Sequence, residues 1–243
     1  MHLNDNCVFI WREGGAWLII GTHVDDIFPL FNPQGKTLRN RVLAALREKM
    51  EVDDKGTVSF ALDTRVQKDE KMGILKLSQK QYIDDLLSEY NITSVRTSPA
   101  PVDDLKEDVG EDVKNEGEKD PVRTLVGRLY WLADTTRPDI YCSVHKCSVL
   151  QNKPSKNLWK RAIHILEYLN GTREVGIVFR RPEGFPTDFV LPENVFEVFC
   201  DASFANDVGY RSRMGYFFFF LGGLVSWCSK LTERIMSSST EAE

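Results

Sequence analysis

Two aspartates stand side by side in His23-Val24-Asp25-Asp26-Ile27, between the apolar runs Trp17-Leu18-Ile19-Ile20 and Ile27-Phe28-Pro29-Leu30-Phe31. Adjacent carboxylates on a tight turn repel one another, and a divalent cation that takes their oxygens as ligands relieves the repulsion. Two such ions roughly 4 Å apart can clamp the attacking and leaving oxygens of a phosphoryl transfer. A solvated Asp-Asp turn has the same appearance, and the pair alone does not choose between the two. A second acidic constellation follows the same logic. The strand candidate Val195–Cys200 ends in Asp201, at the rim of a sheet, and Ser237-Ser238-Ser239-Thr240-Glu241 reads as a cap followed by an acidic first turn. Taken alone, Asp201 is equally a strand-end turn acid and Glu241 equally a helix N-terminal acid.

The elements that must position these acids are legible as periodicities. Cys7–Trp11, Trp17–Ile20 and Ile27–Phe31 are short and rich in β-branched and aromatic residues, which favours strands over helix. Leu38, Val42, Leu43, Leu46 and Met50 recur at helical spacing, with Arg39, Arg41, Arg47 and Lys49 outward. Val58–Leu62 and Gly73–Leu77 read as a hairpin across a charged turn. Ser78 with Gln81 reads as a capping box opening a helix that turns Tyr82, Ile83, Leu86, Leu87 and Tyr90 to one side. Residues 1–92 therefore read as a strand-rich α+β region.

The charge then swings. Between Val102 and Asp120 nine acids face three lysines, so 97–120 is expected to be a flexible acidic linker. Residues 121–181 carry eleven basic side chains against four acids and read as three helices. Leu125, Val126, Leu129 and Leu132 mark the first, and Pro138 suits the first position of the second. The third runs from about Ser155 to Asn170, with Leu158, Ile163, Leu166 and Leu169 inward and Gly171 as a C-terminal cap. Residues 182–194, with three prolines and a glycine, read as a second linker. Three strand candidates follow in 195–243: Val195–Cys200, Gly215–Leu221 and Leu224–Ser229.

The bulk properties narrow the class. A chain of 243 residues with 42% hydrophobic and 28% charged residues is a globular composition with length enough for one large domain or two modest ones. The net charge of −5 argues mildly against a nucleic-acid binder, and its uneven distribution argues back. Five cysteines without a CxxC pair read as reduced thiols. No uncharged apolar stretch reaches membrane-spanning length and no signal pattern opens the chain, so no membrane partner is expected. His145 and His164 read as core-edge or surface histidines, and Phe217–Phe220 as sheet core rather than a base-stacking platform.

An ordered series of boxes carries a family resemblance from about residue 8 to the end. His23-Val24-Asp25-Asp26 resembles the YVDD box of reverse transcriptases, with His23 in the tyrosine position. Phe60-Ala61-Leu62 resembles the "FLG" strand, Leu77-Ser78-Gln79-Lys80-Gln81-Tyr82-Ile83 the "LSQ..YI" helix start, and Thr97-Ser98-Pro99 the "TP" position. Val126–Leu132 resembles "vGsLlYL", Thr136-Arg137-Pro138-Asp139-Ile140 "TRPDI", and Ile165–Thr172 "iLrYLkGT". Asp201–Ala205, Arg211–Tyr216, Val225–Lys230 and Ser238–Glu243 resemble the "DADwA", "RrSTsGy", "isW.Sk" and "SSTEAEy" boxes of the adjoining ribonuclease H. The chain is similar to copia-type LTR retrotransposon Pol polyproteins, from the end of reverse transcriptase into the start of ribonuclease H.

That resemblance implies an α+β fold: partial palm hairpins (1–96), a basic helical thumb and connection region (121–181) and the first strands of a ribonuclease H-like mixed sheet (195–243). It implies two-metal chemistry with Mg²⁺ at Asp25 and Asp26 and at Asp201 and Glu241. It implies a place for His23 beside the primer or nucleotide, where the family has an aromatic ring. Arg123, Arg128, Lys156, Lys160 and Arg161 follow the phosphates of an RNA/DNA template–primer duplex. Deoxynucleotides and the remainder of the Pol polyprotein are the further implied partners, in a cytoplasmic particle or the nucleus. The family's third polymerase carboxylate and two further ribonuclease H aspartates have no counterpart in this sequence, so it is expected to be inactive alone. The alternative is a relic or domesticated chain that binds nucleic acid or protein without catalysis.

Overall fold

The apolar runs near the N-terminus become a three-stranded antiparallel meander of β1 (Val8–Glu13), β2 (Ala16–His23) and β3 (Asp26–Phe31). The computed structural model describes residues 5–99, 121–152, 155–181 and 196–242, and the chain divides into two units, Met1–Thr57 and Val58–Glu243. The acidic linker and the second linker fall almost wholly outside the described residues. Among those residues no helix is long and apolar enough to cross a membrane.

In the first unit, α1 (Lys36–Arg47) lies against β2 and β3 and buries Leu38, while Leu18 is buried in the sheet. Gly35 makes the approach possible, because a Cβ there would fall 2.1 Å from the Trp17 carbonyl oxygen. Asn32 pins the corner: its Oδ1 accepts from the Trp17 N–H at 3.0 Å and the Gly35 N–H at 2.9 Å. Arg41 spans back to the sheet, over the Trp11 ring at 5.0 Å and paired with Glu13 at 3.0 Å. The expected helical stripe overreaches: α1 ends at Arg47, and Met50 beyond it is exposed.

β3 is an edge strand and tolerates Pro29 for a geometric reason. The Thr22 N–H donates to the Cys7 carbonyl at 2.8 Å, so that residue of β2 turns its donor toward β1. Ile20, two residues away, does the same by strand alternation, and its partner across the ladder is Pro29. The proline nitrogen therefore faces away from β2, and no ladder bond is lost.

The second unit holds a four-stranded antiparallel sheet of β4 (Phe60–Ala61), β5 (Thr64–Asp69), β6 (Ile74–Ser78) and β7 (Ile177–Arg180), in that order. The expected hairpin between 58–62 and 73–77 is corrected here. Phe60 pairs with Arg65, and it is β5 that pairs with β6. β5 reads Thr-Arg-Val-Gln-Lys-Asp, and its mostly polar, exposed side chains leave no apolar run to find. Leu62 and Asp63, both at positive φ, make the tight turn before it.

Helix α2 (Lys80–Glu89) buries Ile83, Leu86 and Leu87 as expected, but it lacks the capping box. Ser78 is the buried last residue of β6, and Gln79 at the cap makes no capping bond. Gln79 instead accepts a hydrogen bond from the Thr136 hydroxyl at 2.8 Å, and Gln81 donates to Asp85. Tertiary pairing of two buried polar groups has displaced a local cap.

The main core forms where α2 meets α3 (Pro121–Thr135), α4 (Tyr141–Leu150) and α5 (Lys156–Gly171). Leu125, Leu129, Leu132, Leu166 and Leu169 have no measurable exposure. Pro138 opens the 3-10 turn that leads into α4, and Ser155 caps α5 by accepting from the Leu158 N–H at 3.1 Å. Gly171 is not the cap; Thr172 is. A Cβ on Gly171 would sit 2.6 Å from Val95 Cγ1, so the position serves close packing.

The last sheet is antiparallel: β8 (Phe196–Asp207), β9 (Arg211–Phe220) and β10 (Gly223–Leu231), with β9 central. A short helix, α6 (Ser239–Ala242), lies against β8 and β9. The fold is α+β, with three small antiparallel sheets and a helical core.

Candidate functional site

The first acidic pair lies where the hairpin turns. His23 closes β2 and pairs with Asp26, the first residue of β3, leaving Val24 and Asp25 as the two-residue turn. Val24 takes φ 50° and is 90% exposed, so the turn projects into solvent. His23, Asp25 and Asp26 are all exposed. Two carboxylates are thus delivered by one hairpin tip in the first unit. A hollow of about 200 Å³ in that unit is lined by Phe9, Ile10, Trp11, Leu18 and Ile20, and none of the acids lines it.

The second pair sits on the last sheet. Asp201 is on β8 opposite Gly215, exposed, with its Oδ1 accepting from the Ala202 N–H at 2.9 Å. Glu241 is on α6, which packs against the strand that carries Asp201. Its Oε2 accepts from the Ser237 N–H at 2.7 Å and the Ser237 hydroxyl at 2.6 Å, and its Oε1 lies 3.5 Å from Arg234. Those hydrogen bonds hold the Glu241 carboxyl below its ordinary value. Glu241 is therefore both the candidate ligand and the local fastener of its own helix.

Oxygen donors of this kind suit Mg²⁺, but the number falls short. Among the described residues no group of three or more His, Cys, Asp or Glu side chains comes together to hold a metal. The described residues do not by themselves close a metal centre.

The best-built polar site is one that motif reading left without a role. Arg137 has no exposure at all. Its Nε and Nη2 grip the two Asp139 oxygens at 2.9 and 2.7 Å, Nη1 donates to the Thr172 carbonyl at 3.0 Å, and Nη2 to the Thr172 hydroxyl at 2.7 Å. The Tyr168 hydroxyl donates to Asp139 at 2.8 Å, and its ring lies 5.6 Å from the guanidinium carbon. Burial pushes the Asp139 carboxyl up, but the Arg137 guanidinium outweighs it and the net direction is down. Arg-Pro-Asp spacing is the signal that could have found this: the turn at Pro138 lets Asp139 fold back onto Arg137. The two boxes at 136–140 and 165–172 are halves of one structural clasp.

The basic surface is similarly sorted. Arg128 is engaged by Glu89 at 2.6 Å beside the Tyr82 ring. Arg173 is held by Asp84 and Asn170. Arg123 donates to Asn152 at 3.1 Å and is exposed, as are Lys156 and Lys160, while Arg161 is half-buried. The structure thus divides the run into fold-building arginines and an outward set.

Over 248 aligned residues the chain is 29% identical to the retrovirus-related Pol polyprotein from transposon TNT 1-94 of Nicotiana tabacum, covering 99% of the chain and 18% of that polyprotein. It is 30% identical over 245 residues to the Pol polyprotein from transposon RE1 of Arabidopsis thaliana, again 99% of the chain and 16% of the relative. The chain therefore spans about a sixth of the length of these relatives. It is also 33% identical over 124 residues to the Secreted RxLR effector protein 161 of Plasmopara viticola, 51% of the chain and 81% of that protein. No family model matches, and no solved structure matches.

Proposed function

Because the chain is a homologue of retrotransposon Pol polyproteins, we propose that it corresponds to the junction of reverse transcriptase and ribonuclease H and served two-metal phosphoryl transfer on a template–primer duplex. The observation that carries the reading is the placement of Asp25, in an exposed two-residue hairpin turn, beside Asp26, the exposed first residue of β3. Such a tip can reach a ligand as long as a polynucleotide without rearranging its own sheet. Mg²⁺ is the ion the oxygen donors suit, with carboxylates from elsewhere in an intact polyprotein completing each set. The exposed basic side chains Arg123, Lys156 and Lys160, with the half-buried Arg161, follow duplex phosphates, and Arg128 does so only if it leaves Glu89.

The test has two arms. With Mg²⁺ and a primed template, this chain alone is expected to show neither primer extension nor hybrid cleavage; robust activity abolished by Asp25→Asn would overturn the need for further carboxylates. Duplex binding is expected to be weak and salt-sensitive. The double change Lys156→Ala with Lys160→Ala should lower the slope of log affinity against log salt by roughly two. Binding indifferent to salt would remove the duplex from the proposal.

A second reading, a non-catalytic binding module, is favoured by one observation. One relative covered over most of its length, 81%, is named as a secreted effector, not a polymerase. Duplex binding that persists in Asp25→Asn and Asp201→Asn with no metal dependence is the outcome it requires.

A further inference from the structure

Within the second unit, the helical bundle and the β8–β10 sheet are joined through a hydrogen bond that depends on one proton. Arg213 on β9 is 8% exposed. Asp207 of β8 holds its guanidinium from one side, with Nε at 2.8 Å and Nη2 at 2.7 Å from Oδ2. On the other side Nη1 lies 2.9 Å from Nδ1 of His145 on α4, and 3.5 Å from the Ser229 hydroxyl of β10. A guanidinium has donors only, so Nδ1 must offer its lone pair and the ring proton sits on Nε2. A second bond crosses the same junction, from Trp227 Nε1 of β10 to the Ala133 carbonyl of α3 at 2.8 Å.

We propose that His145 is a proton-operated latch: neutral, it accepts from Arg213 and holds the β8–β10 sheet to the bundle, and protonated, it lets go. An imidazolium has no lone pair for Nη1 and sets a second cation against a guanidinium already shielded from water. Burial first, then the Arg213 cation, hold His145 below its usual value, with Asp207 opposing. The other titratable neighbours of α4 act elsewhere on it. Asp134 and Tyr130 of α3 and Cys228 of β10 act on Tyr141, and Arg161 of α5 acts on Cys147.

The latch also bears on the strand that carries Asp201. β8 shifts register between Ser203 and Asp207, with Ala205 at φ 52° and its N–H bonded to the Ser212 hydroxyl at 3.2 Å. The Arg213–Asp207 pair closes that bulge. A one-residue slip would turn Asp201 to the opposite face. This consequence for Asp201 rests on the functional reading above, whereas the latch itself does not.

The experiment is hydrogen exchange at the Trp227 indole N–H, corrected for the intrinsic pH dependence of exchange. Protection in the unmodified chain is expected to fall roughly threefold to tenfold between about pH 7 and about pH 5. His145→Asn keeps an acceptor near the Nδ1 position and cannot titrate, so it should retain protection at neutral pH and lose the fall. Flat protection in the unmodified chain, or an undiminished fall in His145→Asn, overturns the latch. If His145→Asn does not fold, nitrogen-15 shifts of His145 in the unmodified chain decide. An unprotonated Nδ1 titrating below about 6.5 supports the latch; a protonated Nδ1 at neutral pH, or titration at or above that value, overturns it.

Discussion

The helical bundle and the sheets that bear the acidic candidates are built on different terms. In the bundle, leucines from α2, α3 and α5 lose all contact with water, and a fully buried arginine ties the end of α5 to the turn after α3. On the sheets several large apolar residues stay in reach of solvent: Leu30 is 63% exposed on β3, and Phe196 and Phe199 are 60% and 59% exposed on β8. The tightest burial lies in the part without candidate carboxylates. Asp25, Asp26 and Asp201 sit at thin, two-dimensional supports whose faces are only partly covered.

Three measurements would break or sharpen that contrast. Arg137→Met should have the largest effect, costing about 3–5 kcal/mol in urea unfolding, because it leaves Asp139 and the Thr172 carbonyl without their donor. A loss under about 1 kcal/mol would mean that the clasp is not what stabilises the bundle. Next, Leu129→Ala should cost about 2–5 kcal/mol, while Phe196→Ala should cost under about 1 kcal/mol, since its ring is mostly in water already. Equal costs would erase the distinction between bundle and sheet.

The smallest effect is on the acid limb. The Asp139 carboxyl is held low in the folded chain, so the stability it contributes is complete above the ordinary carboxylate value. That stability is lost as pH falls through the folded one. Asp139→Asn should therefore be less stable near neutrality and lose less between about pH 5 and about pH 3. Asp84 and Glu167, also held low by their cationic partners, leave a residual slope in both proteins. An unchanged acid limb would detach Asp139 from the clasp's energetics.

Legibility in the sequence followed how local each signal was. Helices α1, α2 and α5 and strands β8–β10 were visible because their apolar periods are their own. β5 was not, because its pairing to β4 and β6 does not require apolar residues on it. The Ser78–Gln81 box failed because Ser78 is held in β6 opposite Arg65 and Gln81 donates to Asp85. Among the candidates, the hairpin at Asp25 and Asp26 was legible as a turn between apolar runs, whereas the engagement of Glu241 by Ser237 and Arg234 depends on side-chain geometry that spacing does not encode. Counting charge over 121–181 overstated the available surface for the same reason. Arg137, Arg128 and Arg173 are spent on Asp139, Glu89 and Asp84, partners that lie beyond the reach of a local tally or look like ordinary solvated acids within it.

Pro29 gives the first unit a direction of growth. Any extended segment aligning along the outer margin of β3 would meet a missing donor there, leaving one of its own carbonyls dry and unmatched at a cost of about 1–3 kcal/mol. β1, with no proline from Val8 to Glu13, has no such gap. Sideways stacking of copies into a continuous ribbon needs both margins, so one imino acid is enough to interrupt it.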